Sequence, residues 1–524
     1  MLSKPHFLHT FLLQASAVCA IVQSSHPIHT RDQGIQWGPC TLNSTLPIEC
    51  ANFTVPLDYS SPNSTETLTL ELLKVPAAKT PSKGSVLLNF GGPGFTGQDT
   101  LASGAEKLQA ITGGYHDLIT FDPRGTGNAL PYSCYKNDAE RIAAGVTTQM
   151  LSGNASDVMP GRLWGLADLL VESCEANNKD TGSLIGTAFV ARDMMRIVDA
   201  LREDGLLRYW GLSYGTTLGA TVAAMFPDRM DRVILDGVQN PHEYYHGHDI
   251  EMFTDTDKTF AGVLSACVEA GPERCALAGS NRTAASLEKD VYSLIEELKQ
   301  RPIPLSGILI DYHLVRGYIL LGLYNPVNYP SIMALLDGLL SKNLTVITEA
   351  MAGSASVTAS AGNDAQKGIQ CGDKGADVSA WADPARNGFD KTILPAMEAL
   401  NERSRLAGDT SAGLSATCGR WRTQAKERYT GDFNVKTKHP IMLIGSMFDP
   451  VTPLVSAKNV SEGFEGSVVL QHNGFGHTSP AQISLCTTKA VQAYLLNGTL
   501  PEPGAVCEVD VPLFSNITWQ DVLL

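Results

Sequence analysis

Short apolar runs closed by turn residues recur along the chain, and their spacing predicts strands alternating with helices. The first run is Leu68-Thr69-Leu70-Glu71-Leu72. A second, Gly84 to Phe90, ends in Gly91-Gly92-Pro93-Gly94, a strand meeting a tight loop. Asp117-Leu118-Ile119-Thr120-Phe121 repeats the pattern and ends in Asp122-Pro123-Arg124-Gly125-Thr126-Gly127. Val190, Met194, Ile197, Val198 and Leu201 then fall on one face of a helix. Further strands are predicted at Leu207–Trp210 and Arg232–Leu235, and again at Ile441–Ile444 and Ser467–Leu470. Strands alternating with helices imply βαβ units and a mostly parallel sheet, so the fold class is α/β.

From about Asn240 to Lys438 the strand rhythm stops. Helical spacing replaces it, clearest at Leu287, Val291, Leu294, Ile295 and Leu298 before Pro302. The small-residue stretch Met351–Gly362 is expected to be a loop. The chain therefore divides into a leader (1–25), a first core part (26–239), an inserted, mainly helical cap (240–438) and a C-terminal core part (439–524). No internal repeat is present.

Length and composition narrow the class. With 524 residues, 43% hydrophobic and 18% charged, the chain can bury a large core. A formal net charge of −15 repels a phosphate backbone, which sets nucleic acid aside as a partner. Residues 1–25 read as a secretory signal: Lys4 precedes the apolar run from Phe11 to Val22, and Val18-Cys19-Ala20 offers a cleavage site. That run is too short and interrupted to span the roughly 20 residues of a bilayer helix, so no membrane anchor is expected. Removing Cys19 from the 11 cysteines leaves an even set, as oxidised pairs in an exported protein require. Pairing between sequence neighbours is expected because short loops close most readily: Cys40–Cys50, Cys134–Cys174, Cys267–Cys275, Cys371–Cys418 and Cys486–Cys507. Asn-x-Ser/Thr sequons at Asn43, Asn52, Asn63, Asn154, Asn281, Asn343, Asn459, Asn497 and Asn516 point to a glycosylated, extracellular surface.

The chemistry concentrates at three turns. Gly211-Leu212-Ser213-Tyr214-Gly215 follows a predicted strand and precedes the helical run Thr217–Phe226. This is the G-x-S-x-G nucleophile elbow in its strand–turn–helix setting, and with the parallel sheet it indicates an α/β-hydrolase fold. A serine hydroxyl needs a base to remove its proton, and the base needs orienting. Asp449 lies just past the Ile441–Ile444 strand and His477 past the last one, in the order Ser…Asp…His. His472 is the nearest rival base, but it lies close to the strand end, whereas His477 follows Gly474-Phe475-Gly476. The oxyanion requires two backbone donors: the N–H of Tyr214, and one from the Gly91–Gly94 loop. Pro93 has no N–H, so Gly92 or Gly94 must donate, and Gly92 is favoured by its place after the strand. Asp122, Arg124 and Asp236 are expected to be structural. The cysteine and histidine spacings suit no metal, and no cofactor is implied.

The Gly91–Gly94 loop, Asp122–Gly127, Gly211–Thr216, Ile369-Gln370-Cys371-Gly372-Asp373 and Asp449-Pro450-Val451-Thr452-Pro453 together resemble the motifs of the tripeptidyl aminopeptidase-type branch of the proline-iminopeptidase-like serine peptidases. Gly476-His477, Cys486, Tyr494-Leu495 and Cys507 extend the resemblance over nearly the whole mature chain. It supports the pairings Cys371–Cys418 and Cys486–Cys507 and implies an exopeptidase releasing short peptides or single residues from free N-termini. Phe90 stands where iminopeptidases carry His, and Phe95 and Thr96 replace smaller residues, which alters the expected pocket shape.

An aminopeptidase must pair a free α-ammonium with carboxylates or carbonyls, because leaving it buried and unpaired costs several kcal/mol. Glu243, Asp249, Glu251, Asp255 and Asp257, on the chain leaving the core, are the candidates. The expected partner is thus a peptide or small acyl substrate, and nothing in the sequence sets an oligomeric state. The alternative on the same fold is an ester, lactone or other non-peptide acyl substrate. A binding protein without activity is disfavoured by the complete Ser213–Asp449–His477 set.

Overall fold

The computed structural model describes residues 34–147, 149–279, 282–352, 361–374 and 388–523. The expected signal and Asn281 lie outside the described residues, as do positions 353–360 of the expected loop. The ends of that loop extend the helices Leu344–Ala352 and Ala361–Lys374.

The first strands are β1 (Gly38–Pro39), β2 (Glu49–Pro56), β3 (Thr67–Val75), β4 (Ser85–Asn89), β5 (Asp117–Phe121), β6 (Leu207–Leu212) and β7 (Met230–Asp236). A short hairpin, β8 (Ile303–Leu305) and β9 (Ile308–Ile310), follows, and then β10 (Met442–Phe448), β11 (Val468–Phe475) and β12 (Val506–Glu508). All but the hairpin form one sheet in the order β1-β2-β3-β5-β4-β6-β7-β10-β11-β12. From β5 to β12 neighbouring strands run parallel, while β1, β2 and β3 add an antiparallel edge.

Burial pattern explains which strands were legible. Every residue of β4 is buried, because helices cover both faces of a parallel strand; its middle, Val86 to Leu88, is apolar, and its polar ends are hydrogen-bonded, Ser85 to Glu203 and Asn89 to the Gly91 N–H. β2, not predicted from the sequence, alternates: Ala51, Phe53 and Val55 face the core, while Asn52 and Thr54 face water. Leu87, Ile119, Tyr209 and Val233 pack on the helices Thr187–Leu201 and Tyr214–Met225. Val86, Leu88, Trp210 and Ile234 point the other way, onto Gln98–Ile111 and Leu485–Asn497.

The described residues between 240 and 438 carry helices and the β8–β9 hairpin, with a core of their own built from Phe260, Leu264, Val291, Ile319 and Leu336. The helix Met159–Asn177, which precedes this region in sequence, joins it in space: Leu163 and Ala167 cluster with Cys371, Ala412 and Ala416. The chain between β5 and β6 therefore contributes to the helical layer as well.

Among the described residues five disulfides are present, Cys40–Cys50, Cys134–Cys174, Cys267–Cys275, Cys371–Cys418 and Cys486–Cys507. The sequon asparagines at 43, 52, 63, 154, 343, 459, 497 and 516 are all exposed. No helix among the described residues is long and apolar enough to cross a membrane.

Candidate active site

β6 ends at Leu212, and the helix Tyr214–Met225 starts immediately after Ser213. Ser213 has φ 59° and ψ −127°, a conformation that costs an L-residue about 1–3 kcal/mol and that crowded surroundings must impose. Those surroundings admit no side chains. A Cβ on Gly211 would lie 2.2 Å from the Gly215 carbonyl oxygen, and one on Gly215 would lie 2.6 Å from that of Asn89. The loop after β4 presses equally close, since a Cβ on Gly91 would stand 2.7 Å from Ser213 Cβ. The Gly91 N–H donates to Asn89 Oδ1 at 3.0 Å, so it is already engaged.

β7 lies between β6 and β10, which places the ends of the serine strand and the acid strand on either side of it. Asp449 follows β10 and is fully buried. Its Oδ1 accepts from the N–H groups of Val451 (3.0 Å) and Thr452 (2.9 Å). Its Oδ2 accepts from Thr452 Oγ1 (2.7 Å) and the Thr478 N–H (2.9 Å). His477 Nδ1 stands 3.1 Å from both carboxylate oxygens and 3.1 Å from Thr452 Oγ1. Burial alone would raise the Asp449 pKa, but the His477 ring and the N–H donors outweigh it and hold it below the usual carboxylate value. With Thr452 donating to the carboxylate, Nδ1 is the ring nitrogen that carries hydrogen, and Nε2 is free to accept. His477 Nε2 is buried and makes no hydrogen bond, to the Ser213 hydroxyl or to any other group, in this conformation. Catalytic contacts are often loose before substrate binds.

Two further contacts aim the His477 ring. The Tyr324 carbonyl accepts the His477 N–H at 2.8 Å, and the two rings meet edge to face with centroids 4.8 Å apart. Phe448 and Phe475, one at each strand end, stack with centroids 4.0 Å apart. His472 faces elsewhere: it is buried, its Nδ1 meets Thr487 Oγ1 at 3.0 Å, and burial lowers its pKa to about 4.

The five acids expected at the substrate all have partners inside the protein. Glu243, Asp249 and Glu251 line one narrow crevice with Val451 and Ser456. Glu243 accepts the Glu251 N–H at 3.0 Å, and Glu251 accepts Ser456 Oγ at 2.6 Å. Asp249 pairs with Lys374 at 3.1 Å. Asp255 pairs with Lys258 at 3.5 Å. Asp257 accepts from Ser404 Oγ at 2.6 Å and from the N–H groups of Arg405 and Leu406, holding the 404–406 turn. Among the described residues no group of His, Cys, Asp or Glu is arranged to hold a metal ion.

Sequence reasoning missed several neighbours. Tyr214 OH meets Thr187 Oγ1 at 2.6 Å, and Asp373 accepts from the Thr187 N–H at 3.0 Å and from Tyr244 OH at 2.9 Å. Burial lifts Asp373 to about 6. This chain of bonds ties the residue after Ser213 to the helix Ala361–Lys374. Thr452 carried one weak local signal, its place three residues after a carboxylate, where a turn brings its N–H and hydroxyl back. Tyr324 carried none. Arg124 is fully buried against Asp193 at 2.6 Å, and Asp122 accepts the Gly97 N–H at 2.9 Å, which pins the chain beyond the Gly91–Gly94 loop.

Two families match the chain by sequence: "alpha/beta hydrolase fold" over residues 85–265 and "TAP-like protein" over residues 404–507. Together with the parallel sheet and the elbow at its β6 end, they decide the assignment. The chain has the α/β-hydrolase fold and is a serine hydrolase. This hydrolase is 25% identical to the tripeptidyl aminopeptidase of Streptomyces lividans over 498 residues, 90% of its own length and 86% of that protein's. It is 26% identical to the serine protease Hip1 of Mycobacterium tuberculosis over 501 residues, 91% of each. A third relative, the carboxylesterase B of Mycobacterium tuberculosis, is 27% identical over 488 residues, covering 87% of the hydrolase and 86% of that protein.

Proposed function

We propose that the hydrolase is a secreted aminopeptidase that releases short peptides or single residues from free N-termini. Ser213 is its nucleophile, His477 its general base and Asp449 the acid that orients the ring. The observation that carries this reading is the His477 ring, with Nδ1 held by Asp449 and Nε2 buried and unpartnered. His477 Nε2 takes the proton of Ser213 Oγ as that oxygen attacks the substrate carbonyl. The N–H groups of Tyr214 and Gly92 receive the developing oxyanion. The imidazolium returns its proton to the leaving amine, and water then resolves the acyl-enzyme by the same route.

Likeness to a tripeptidyl aminopeptidase along most of both chains supports the peptide substrate. The five disulfides and the exposed sequons support export to an oxidising compartment. The insert 240–438, with the helix Met159–Asn177 packed onto it, is the cap that sets specificity.

A free tripeptidyl 4-nitroanilide should be cut at least about tenfold faster than its N-acetylated form, since a blocked end forfeits the buried ion pair. Equal rates would refute the aminopeptidase. Hydrolysis of simple esters alone would favour a non-peptide acyl substrate, a reading that the likeness to a carboxylesterase keeps in play.

A further inference from the structure

Asp236 ends β7, the strand between the one that delivers Ser213 and the one that delivers Asp449. Its backbone carbonyl accepts the Ser213 N–H at 3.1 Å. Its side chain turns to the histidine loop: Oδ1 accepts the Ser479 N–H at 2.8 Å and Oδ2 accepts Ser479 Oγ at 2.6 Å. Trp210 Nε1 supplies a third donor to Oδ2 at 3.3 Å. The carboxylate, Trp210 and Ser479 are all buried, so water cannot replace these bonds.

The next residue completes the contact. Gly237 has φ +64°, and a Cβ there would lie 2.6 Å from Thr478 Cγ2 and 3.0 Å from Thr452 Oγ1. Thr478, directly after the base, has φ 68°, a left-handed conformation rare for a β-branched residue and kept only where surroundings impose it. Two carboxylates impose it. Asp449 grips the Thr478 N–H at 2.9 Å on one side, and Asp236 grips Ser479 on the other.

We infer that Asp236 is a positioning residue: its carboxylate, with Gly237 beside it, seats the turn that follows His477 and so fixes the base relative to the nucleophile. One residue thus touches Ser213 through its backbone and the base loop through its side chain. The inference rests on the reading of Ser213 and His477 as nucleophile and base.

The test uses the purified full chain with 4-nitrophenyl acetate as substrate and a fluorophosphonate as the label for Ser213. Asp236→Asn removes an acceptor from Ser479 Oγ and Trp210 Nε1 while keeping the size of the side chain. A loosened base should lower kcat about 10- to 100-fold, with KM within about threefold of wild type and labelling of Ser213 slowed in proportion. Ser479→Ala removes one bond only and should give a smaller loss in the same direction. Because Asp236 acts through Ser479, the double variant should lose little more than Asp236→Asn alone. Gly237→Ala supplies an independent disturbance of the same seat should Asp236→Asn fail to fold, and it should also lower kcat rather than raise KM. A folded Asp236→Asn with kcat within about twofold of wild type would overturn the inference, as would fully additive losses. Ser213→Ala separates the two levels. If it retains hydrolysis, the nucleophile assignment fails; if it is dead while Asp236→Asn is fully active, only the seat fails.

Discussion

Replacing Asp449 by Asn tests whether the His477 ring is locked in its working tautomer. Asp449 accepts from the N–H groups of Val451, Thr452 and Thr478 and from Thr452 Oγ1, besides facing His477 Nδ1. An amide offers one acceptor oxygen and one NH2. If the NH2 takes the Oδ2 position it confronts the Thr478 N–H, and if it takes the Oδ1 position it confronts the N–H groups of Val451 and Thr452. Either choice leaves a buried donor unpaired, at about 1–3 kcal/mol each. The imidazolium formed when His477 takes the serine proton also loses its counter-charge, and the ring can settle with its proton on the wrong nitrogen. A loss of about 10⁴ in kcat is expected, with a folded but less stable protein. Steady-state kinetics on 4-nitrophenyl acetate, per mole of folded protein, measure the first effect, and calorimetry measures the second. A folded variant that keeps kcat within about tenfold of wild type would refute the role given to Asp449.

Ser213→Ala should remove about 10⁴–10⁶ of kcat while leaving the melting temperature unchanged, and mass spectrometry of the labelled wild type should find the phosphonate on Ser213 alone. Cys371 and Cys418 are 47 residues apart in sequence, so replacing both by Ala should destabilise the protein by about 4 kcal/mol through loop-closure entropy, read as a lower denaturant midpoint. Non-reducing peptide maps that link Cys371 to a different cysteine would contradict the pairing. Burial holds Asp373 at about 6 against an ordinary 3.8, so the folded state keeps this proton more tightly than the unfolded chain. Its contribution to stability is therefore complete below the ordinary value and is lost as pH rises through about 6, a change of about 3 kcal/mol. Asp373→Asn cannot titrate, so its unfolding free energy should decline less than that of wild type between pH 4 and pH 7; parallel declines would refute the assignment.

Local pattern determined a good part of this protein. The buried strand β5 was legible to the residue, because burial on both faces favours the apolar run of Leu118, Ile119 and Phe121 and its ends are marked by turn residues. The elbow was legible because a serine at φ 59° tolerates only glycine at 211 and 215, a constraint written within a few positions. Asp449 and His477 each follow a strand end, and the structure brings them to 3.1 Å. What stayed hidden depends on partners far away in the chain. β2 offers only Ala51, Phe53 and Val55 to the core and was not picked out, and the helix Met159–Asn177 gives no local sign that it packs on Ala412 and Ala416. The five acids were plausible by position alone, yet burial and neighbouring donors assign most of them to holding the fold. Asp236 reads in sequence as an ordinary strand-ending carboxylate. Only the sheet order, which sets β7 between β6 and β10, lays it against Ser479, 243 residues along the chain, because strands adjacent in a parallel sheet need not be adjacent in sequence.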